Sequence, residues 1–110
     1  MAERAAWEFM EGLPESERFG LTTVNPGFIT GPSLINGGFA SAEIMNMFMS
    51  NNFPGGVPQV QMPIVDVRDV ALAHVNCIKN EQAQGKRFIL CGEVLWFREI
   101  GEKLARHFGP

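Results

Sequence analysis

Tyrosine is absent from the 110 residues, and cysteine occurs only twice. Neither Cys77 nor Cys91 has a second cysteine or a histidine at the spacing of a metal site, so the sequence predicts two free, partly buried thiols in a reducing compartment. No apolar run approaches the ~18 residues that a membrane-spanning helix needs. The first residues mix acid and base and lack the apolar core of a secretory signal, so we expect a cytoplasmic protein without a membrane segment.

Strong charge of either sign is also lacking. The net charge is −3 and the basic residues form no run, so nucleic acid is a poor candidate partner. The chain is long enough for one domain and too short for two. Its composition, 45% hydrophobic and 19% charged, is typical of a globular protein.

Self-contained catalytic motifs are missing as well. The sequence has no HExxH, CxxC, GxSxG or Walker pattern, and we therefore assign no catalytic residue and no metal ligand. His74 falls on the apolar side of a predicted helix, which favours a packed histidine over a catalytic one. Asp66 and Asp69 lie at the start of the same helix, where carboxylates cap free N–H groups and favour the helix dipole.

What is present is an alternation of helical and strand patterns. Helices are predicted over residues 2–12, 41–51, from 67 onwards and over 96–108, and strands over 21–25, 59–64 and 87–91. A helix followed by a β-branched strand is half of a βαβ repeat, which indicates an α/β protein with a parallel sheet. Ser41 and Asp66 are the predicted N-caps of the second and third helices.

Three of these helices have an apolar face that predicts burial. On the first helix the face consists of Ala2, Ala5, Ala6, Phe9 and Leu13. On the third it consists of Val67, Val70, Ala71, His74, Val75 and Ile78. On the last it consists of Phe97, Ile100, Gly101, Leu104, Ala105 and Phe108.

Residues 24–32, VNPGFITGP, stand out as a candidate ligand wall. They begin as a buried strand and are interrupted by Gly27, Gly31 and Pro32. Open α/β sheets bind ligands beyond the carboxyl ends of their strands. In the helix that follows, Met45 and Met49 would line an adaptable pocket or would simply pack in the core.

Several segments in this order resemble the C-terminal part of the extended short-chain dehydrogenase/reductases, in the epimerase/dehydratase superfamily. They are AERAAW at 2–7, VNPGFITGP at 24–32, IVDVRDVA at 64–71, RFILCGE at 87–93 and REI at 98–100. The pattern is similar to the dihydroflavonol reductase and cinnamoyl-CoA reductase branch. One departure is Trp96, which stands where that family commonly has Ser or Thr, so half of a capping box is lost.

The resemblance implies the C-terminal part of a Rossmann-like, doubly wound parallel sheet plus a small substrate-binding α/β subdomain. Residues 1–32 and about 64–91 would belong to the sheet, and residues 33–63 and 92–110 to the substrate subdomain. The N-terminal dinucleotide-binding half of the family fold would be absent. Catalysis in the family depends on a Tyr-x-x-x-Lys pair on the helix whose continuation resembles residues 2–7, and this sequence contains no such pair.

By the same resemblance, the complete enzyme would be an NAD(P)-dependent oxidoreductase acting on a small carbonyl or alcohol substrate. The residues implied to contact NADP or NAD are Pro26, Phe28, Ile29 and Ser41, although Ser41 could equally well only cap its helix. The residues implied to contact the substrate are Phe39, Met45 and Met49. The choice between NAD and NADP is not readable from these 110 residues.

We expect the chain alone to be inactive, marginally stable and prone to self-association through exposed strand edges. Without the phosphate-binding part of the family fold, its affinity for NADPH or NADH should be no better than millimolar. Two alternatives stay open. The chain could be a non-enzymatic binding or regulatory short form that pairs with a full-length relative, or it could derive from a nucleotide-sugar epimerase or dehydratase.

Overall fold

The computed structural model describes residues 1–38 and 40–109, and the elements follow the predicted order. The helices in this part of the chain are α1 (Ala2–Gly12), α2 (Ala40–Met49), α3 (Val67–Lys79) and α4 (Phe97–Phe108). The strands are β1 (Thr23–Pro26), β2 (Phe28–Thr30), β3 (Gln61–Asp66), β4 (Arg87–Leu90) and β5 (Glu93–Trp96). Short 3₁₀ turns occupy Glu15–Glu17 and Glu81–Ala83. The predicted α/β class is confirmed.

The five strands form two small sheets. In the first, β1 and β4 run parallel, with Pro26 paired to Leu90. In the second, β2 runs parallel to β3, with Phe28 paired to Ile64, and β5 runs antiparallel to β3. Strands β2 and β5 were not predicted, because each has only three or four residues and β2 is hidden among proline and glycine. The 24–32 stretch is therefore two strands and not a strand followed by a turn.

The helix starts follow the predicted chemistry in two cases out of three. The Asp66 carboxylate caps α3, accepting the Arg68 N–H at 2.8 Å. At α4, the Trp96 N–H donates to Glu99 Oε2 at 2.8 Å. The indole of Trp96 cannot return the bond because it has no acceptor, so the half-lost capping box is confirmed. Ser41 is wrong as an N-cap, because α2 already begins at Ala40.

The best-buried core lies between the three-stranded sheet and α4. Val65, Phe97 and Ile100 are each no more than one-tenth exposed. The ring of Phe48 from α2 packs 5.4 Å from that of Phe97 and 4.8 Å from that of Phe53, measured between centroids. Most of the predicted stripe of α4 is thus covered, although Ala105 and Phe108 are exposed.

The predicted face of α3 is covered on one side only. Val70 is buried, but Ala71, His74 and Val75 are exposed, and Ile78 is 87% exposed. The prediction that His74 is a packed residue is therefore wrong. Its ring lies beside the helix itself, with Nδ1 2.8 Å from the Val70 carbonyl oxygen. The helix faces the sheet through Val70. The described residues leave the rest of its apolar flank exposed to solvent.

The apolar face of helix α1 is also covered only in part. Ala6, Trp7 and Met10 are half-buried, whereas Ala2 and Ala5 are exposed and Phe9 is 61% exposed. The predicted face was therefore wrong by part of a turn. The side of α1 that meets the sheet carries Glu3, whose carboxylate bonds to Thr23 and Arg87.

The dimensions of the chain show how much surface is left open. The accessible surface is 8473 Å², whereas a folded monomer of this mass exposes about 6,100 Å². The radius of gyration is 18.3 Å, against roughly 13 Å for a compact domain of this length. Among the described helices, none has the length and apolarity needed to cross a bilayer. Cys77 and Cys91 are free as predicted, but Cys91 is exposed and not partly buried.

Candidate functional site

The candidate site is built around the crossing of the chain from one sheet to the other. The two strands β1 and β2 are separated only by Gly27, whose N–H donates to the Leu90 carbonyl at 2.9 Å. A Cβ built on Gly27 would collide with the carbonyl oxygen of Pro63. Only glycine lets the backbone of β1 pass this close to β3, so the crossing depends on that residue.

The predicted cofactor contacts Pro26, Phe28 and Ile29 flank this crossing. All three are half-buried, and they lie at the carboxyl end of β1 and along β2. Successive residues of a strand face opposite sides, so Phe28 and Ile29 face opposite sides of the second sheet. Gly31 then turns the chain with a φ of 128°, a value that L side chains rarely adopt.

A small concavity joins the end of β2 to α2. It measures about 200 Å³ and is lined by Thr30, Gly31, Ser41, Ala42, Met45 and Asn46. The structure thus brings Ser41 and Met45 together beside the glycine turn, although one was predicted to contact cofactor and the other substrate. The volume is below the ~300–1,000 Å³ of typical small-molecule pockets, so this concavity alone is too small to enclose such a ligand.

The other predicted substrate residues do not join this concavity. Met49 is 54% exposed and lines a different concavity of about 450 Å³ with Phe48, Phe53, Leu104 and Phe108. Phe39 lies outside the described residues. A larger concavity of about 600 Å³ borders Trp96, Arg98 and Glu102 at the start of α4, away from the 24–32 stretch.

Asn25 was not assigned a role from the sequence, and the structure makes it conspicuous. Its side-chain Nδ2 is buried and has no hydrogen-bond partner among the described atoms. An unpaired buried donor costs roughly 1–3 kcal/mol. This donor lies immediately before Pro26, at the crossing itself.

Glu3 is a second residue that sequence reasoning missed. Its Oε1 accepts hydrogen bonds from Thr23 Oγ1 at 2.9 Å, from Arg87 Nε at 2.8 Å and from Trp7 Nε1 at 3.5 Å. The Thr23 hydroxyl, followed by the Arg87 guanidinium, lowers the pKa of Glu3. One carboxylate therefore ties α1 to the first residues of both β1 and β4. The only sequence signal was an acidic residue in the first turn of a helix.

Asp66 ends β3 beside the glycine turn, opposite Thr30. Its carboxylate accepts from Arg68 Nε at 2.8 Å, from Arg68 Nη2 at 2.6 Å and from the Arg68 N–H at 2.8 Å. Hydrogen bonding to the Arg68 side chain, then to its backbone, lowers the pKa of Asp66 to about 2. This arrangement orients the start of α3 and leaves the carboxylate fully engaged, which favours a structural role.

The parallel pairing of β1 with β4 and of β2 with β3, with helices between the strands, defines an α/β protein. Comparison with known sequences agrees. No family model matches the chain. An NADPH-dependent methylglyoxal reductase of Saccharomyces cerevisiae is 35% identical over 94 residues, covering 81% of this chain and 28% of the relative. A cinnamoyl-CoA reductase of Medicago truncatula is 31% identical over 103 residues, covering 91% of this chain and 28% of the relative.

Solved structures give the same result. The yeast methylglyoxal/isovaleraldehyde reductase complexed with NADPH superposes with a TM-score of 0.85 and 31% identity, over 97% of this chain and 33% of that chain. The vestitone reductase of alfalfa, at 24% identity and a TM-score of 0.69, shows the fold alone. The chain belongs to the extended short-chain dehydrogenase/reductases and matches their C-terminal part. It spans about a third of the length of the relatives it matches.

Proposed function

We propose that this chain is the C-terminal part of an NADPH-dependent carbonyl reductase, where it supplies one wall of the nicotinamide site and part of the substrate pocket. The observation that carries the proposal is the continuous path from β1 through Gly27 into β2, next to the concavity of Ser41 and Met45. Relatives that match most of the chain are named as an NADPH-dependent methylglyoxal reductase and as a methylglyoxal/isovaleraldehyde reductase complexed with NADPH.

The residues at the crossing fit a nicotinamide ring. Pro26, Phe28 and Ile29 are apolar, half-buried and placed where open α/β sheets bind ligands. A proline offers a flat, rigid surface without an N–H that would need a partner. In the complete site, NADPH supplies the hydride that reduces the carbonyl carbon.

Within that site, the proposed work of this chain is binding and orientation. Pro26 and Ile29 would hold the ring against the substrate, Ser41 would reach a cofactor phosphate, and Met45 and Met49 would shape the substrate pocket. Phe39, which lies outside the described residues, stays a predicted substrate contact. Residues 1–32 and about 64–91 would form the cofactor side, and residues 33–63 and 92–110 the substrate side. The proton for the new hydroxyl would come from outside these 110 residues, since they contain no tyrosine.

The first test is a fluorescence titration of the 110-residue chain with NADPH. Because the wall is shallow, we expect a Kd no tighter than about 1 mM, which corresponds to roughly −4 kcal/mol. Micromolar binding would contradict the idea that the remaining walls lie elsewhere.

The second test joins the chain to the missing walls. In a chimera, the C-terminal third of the yeast methylglyoxal reductase is replaced by this chain, and NADPH-dependent reduction of methylglyoxal is measured. We expect activity, and we expect Ile29→Ala to raise the KM for NADPH several-fold. Val94→Ala is the matched control, because Val94 is 53% exposed on β5. A folded chimera without reductase activity would refute the proposal.

A second candidate function is a non-enzymatic short form that pairs with a partner through its open strand edges. The uncovered side of β1 favours it. The two candidates differ in one measurement, since only the reductase portion restores NADPH-dependent turnover when the other walls are supplied. Relatives named as reductases favour the first candidate, and favour it also over a nucleotide-sugar epimerase.

A further inference from the structure

We infer that Thr30 and Asn46 form a specificity-determining pair, which binds a second, non-reacting oxygen of the carbonyl substrate. The inference rests on the proposed function and deepens it, because it says which substrates this part of the chain favours. These are small, uncharged carbonyl compounds with a carbonyl or hydroxyl group on the carbon next to the one that is reduced.

The two side chains meet from different elements of the fold. Thr30 is the last residue of β2, and Asn46 lies in the second turn of α2. Both line the concavity of about 200 Å³ at the end of β2. Thr30 is half-buried and Asn46 is exposed, so a small molecule can reach the pair from solvent.

The hydrogen-bonding groups of the pair are available to a ligand. Within residues 1–38 and 40–109, neither the Thr30 hydroxyl nor the Asn46 amide takes part in a side-chain hydrogen bond. A threonine hydroxyl both donates and accepts, and an asparagine amide supplies two N–H donors and one carbonyl acceptor. Together they can bind a carbonyl oxygen or a hydroxyl group.

The charge of the lining favours an uncharged ligand. None of the six residues that line the concavity is charged. The Asp66 carboxylate beside Gly31 is already bound by the Arg68 guanidinium. An anionic substituent would find no free cation in this lining, whereas a carbonyl or hydroxyl group needs only hydrogen bonds.

The size of the concavity favours a small substituent. Gly31 and Ala42 leave it open, because one has no side chain and the other has a single methyl group. At roughly 30 Å³ for each group of the size of a water molecule, a volume of about 200 Å³ holds only a few non-hydrogen atoms. It can accept one end of a substrate of three or four carbons.

The position of Thr30 links the concavity to the proposed cofactor wall. Thr30 follows Phe28 by two residues, so their side chains lie on the same side of the strand, about 7 Å apart along it. The concavity also contains Ser41, a proposed cofactor contact, and Met45, a proposed substrate contact. A substrate bound against the ring would therefore extend its second oxygen toward Thr30 and Asn46.

The first experiment compares two substrates in the chimera with the yeast reductase. Asn46→Leu and Thr30→Val keep the approximate size of the side chains and remove their hydrogen-bonding groups. Each should lower kcat/KM for methylglyoxal by about three- to tenfold, the range that one neutral hydrogen bond supplies. The kcat/KM for isovaleraldehyde should stay unchanged, because that aldehyde has no second oxygen. Asn46→Gln retains an amide and should lose less than Asn46→Leu.

The matched control is Asn52→Leu. Asn52 is an exposed asparagine just after α2 and does not line the concavity, so this variant should change neither substrate. An equal loss for methylglyoxal and isovaleraldehyde would show that Thr30 and Asn46 act only through the structure. That result, or no loss for methylglyoxal, would overturn the inference.

Binding to the isolated chain gives a readout that does not depend on activity. Hydroxyacetone carries a hydroxyl group next to its carbonyl, whereas 2-butanone has a methyl group in the same place. Hydroxyacetone should shift the NMR signals of the Asn46 side-chain amide, with a Kd on the order of tens of millimolar for so small a probe. The same concentration of 2-butanone should not shift them. Equal shifts with both probes, or none with either, would overturn the inference.

The two experiments separate this inference from the proposed function. If hydroxyacetone alone shifts the Asn46 signals but the chimera does not reduce methylglyoxal, the pair stands as a binding site and the reductase proposal fails. If the chimera is active and Asn46→Leu changes both substrates equally, the reductase proposal stands and the specificity pair fails.

Discussion

The region around β2, β3 and β5 and the region around β1 and β4 both contain apolar strands, yet only the first buries large apolar side chains from its own strands and from α4. Phe97, Ile100 and Val65 are buried in the first region. In the second, β1 and β4 contribute no fully buried residue among those described, and Ile89 is 71% exposed. Both have apolar sequences, so the difference lies in what covers them.

The comparison shows that apolar patterns in this chain are covered to different extents by its described elements. The stripe of α4 is largely covered by elements within this chain. The apolar face of α3 is half open, because no described strand pairs with the far edge of β1. Ile78, which is 87% exposed, belongs to apolar surface that the described elements leave uncovered.

The largest expected effect is in the enclosed region. Phe97→Ala removes a ring that packs against Phe48 at 5.4 Å, and truncating a buried phenylalanine typically costs 3–5 kcal/mol. Urea denaturation followed by circular dichroism would measure the loss. A cost below about 1 kcal/mol would mean that this region is not the stable part of the chain.

The next effect concerns the crossing between the two regions. Gly27→Ala would force a Cβ against the Pro63 carbonyl, and overpacking of this kind costs about 1–3 kcal/mol. Gly12→Ala is the matched control, because a Cβ there meets nothing within 4 Å. Equal stability of the two variants would show that the close approach of β1 to β3 is not maintained in solution.

Acid should affect both regions through one carboxylate in each. The pKa of Asp66, at about 2, and that of Glu3 are both below their ordinary values of 3.8 and 4.5. Each carboxylate therefore stabilises the fold above its ordinary pKa, and the contribution is lost as the pH falls toward the folded value.

Stability should accordingly decline below about pH 4.5, first through Glu3 and then through Asp66. Glu3→Gln should flatten the upper part of this decline and Asp66→Asn the lower part, as measured by urea midpoints between pH 5 and 2. If Glu3→Gln leaves the whole profile unchanged, Glu3 does not anchor α1 to β1 and β4.

The smallest effect is expected on the open flank. In the isolated chain, Ile78→Ala should change the stability by less than about 0.5 kcal/mol, because an exposed side chain loses little on truncation. Urea denaturation of the Ile78→Ala variant followed by circular dichroism would measure this change in stability. A loss comparable to that of Phe97→Ala would show that α3 is covered in solution.

Prediction from sequence succeeded where the cause is local. The Asp66 cap, the half capping box at Trp96 and the order of the elements all depend on neighbouring residues, and all are confirmed. It failed where the cause is distant. His74 is exposed because no described element covers its side of α3, which the spacing of apolar residues does not show. Strands β2 and β5 are defined by pairing with β3, which is distant from both in the sequence.

Some features of the candidate site could likewise be predicted from the sequence, and others could not. The proline and glycine pattern at a strand end predicted that residues 24–32 are important. The structure adds why position 27 must be glycine, since a Cβ there would collide with the Pro63 carbonyl oxygen. The roles of Asn25 and Glu3 were not readable, because they depend on one unpaired amide and on contacts across 20 and 84 residues. The cofactor and substrate contacts remain predictions.

The most direct test of the account is hydrogen exchange on the isolated chain, residue by residue. We predict strong protection of the Val65 amide in β3 and nearly free exchange of the Val24 amide, whose N–H faces the open edge of β1. Equal and strong protection at both positions would contradict the central claim, because β1 would then already have a partner on both of its edges.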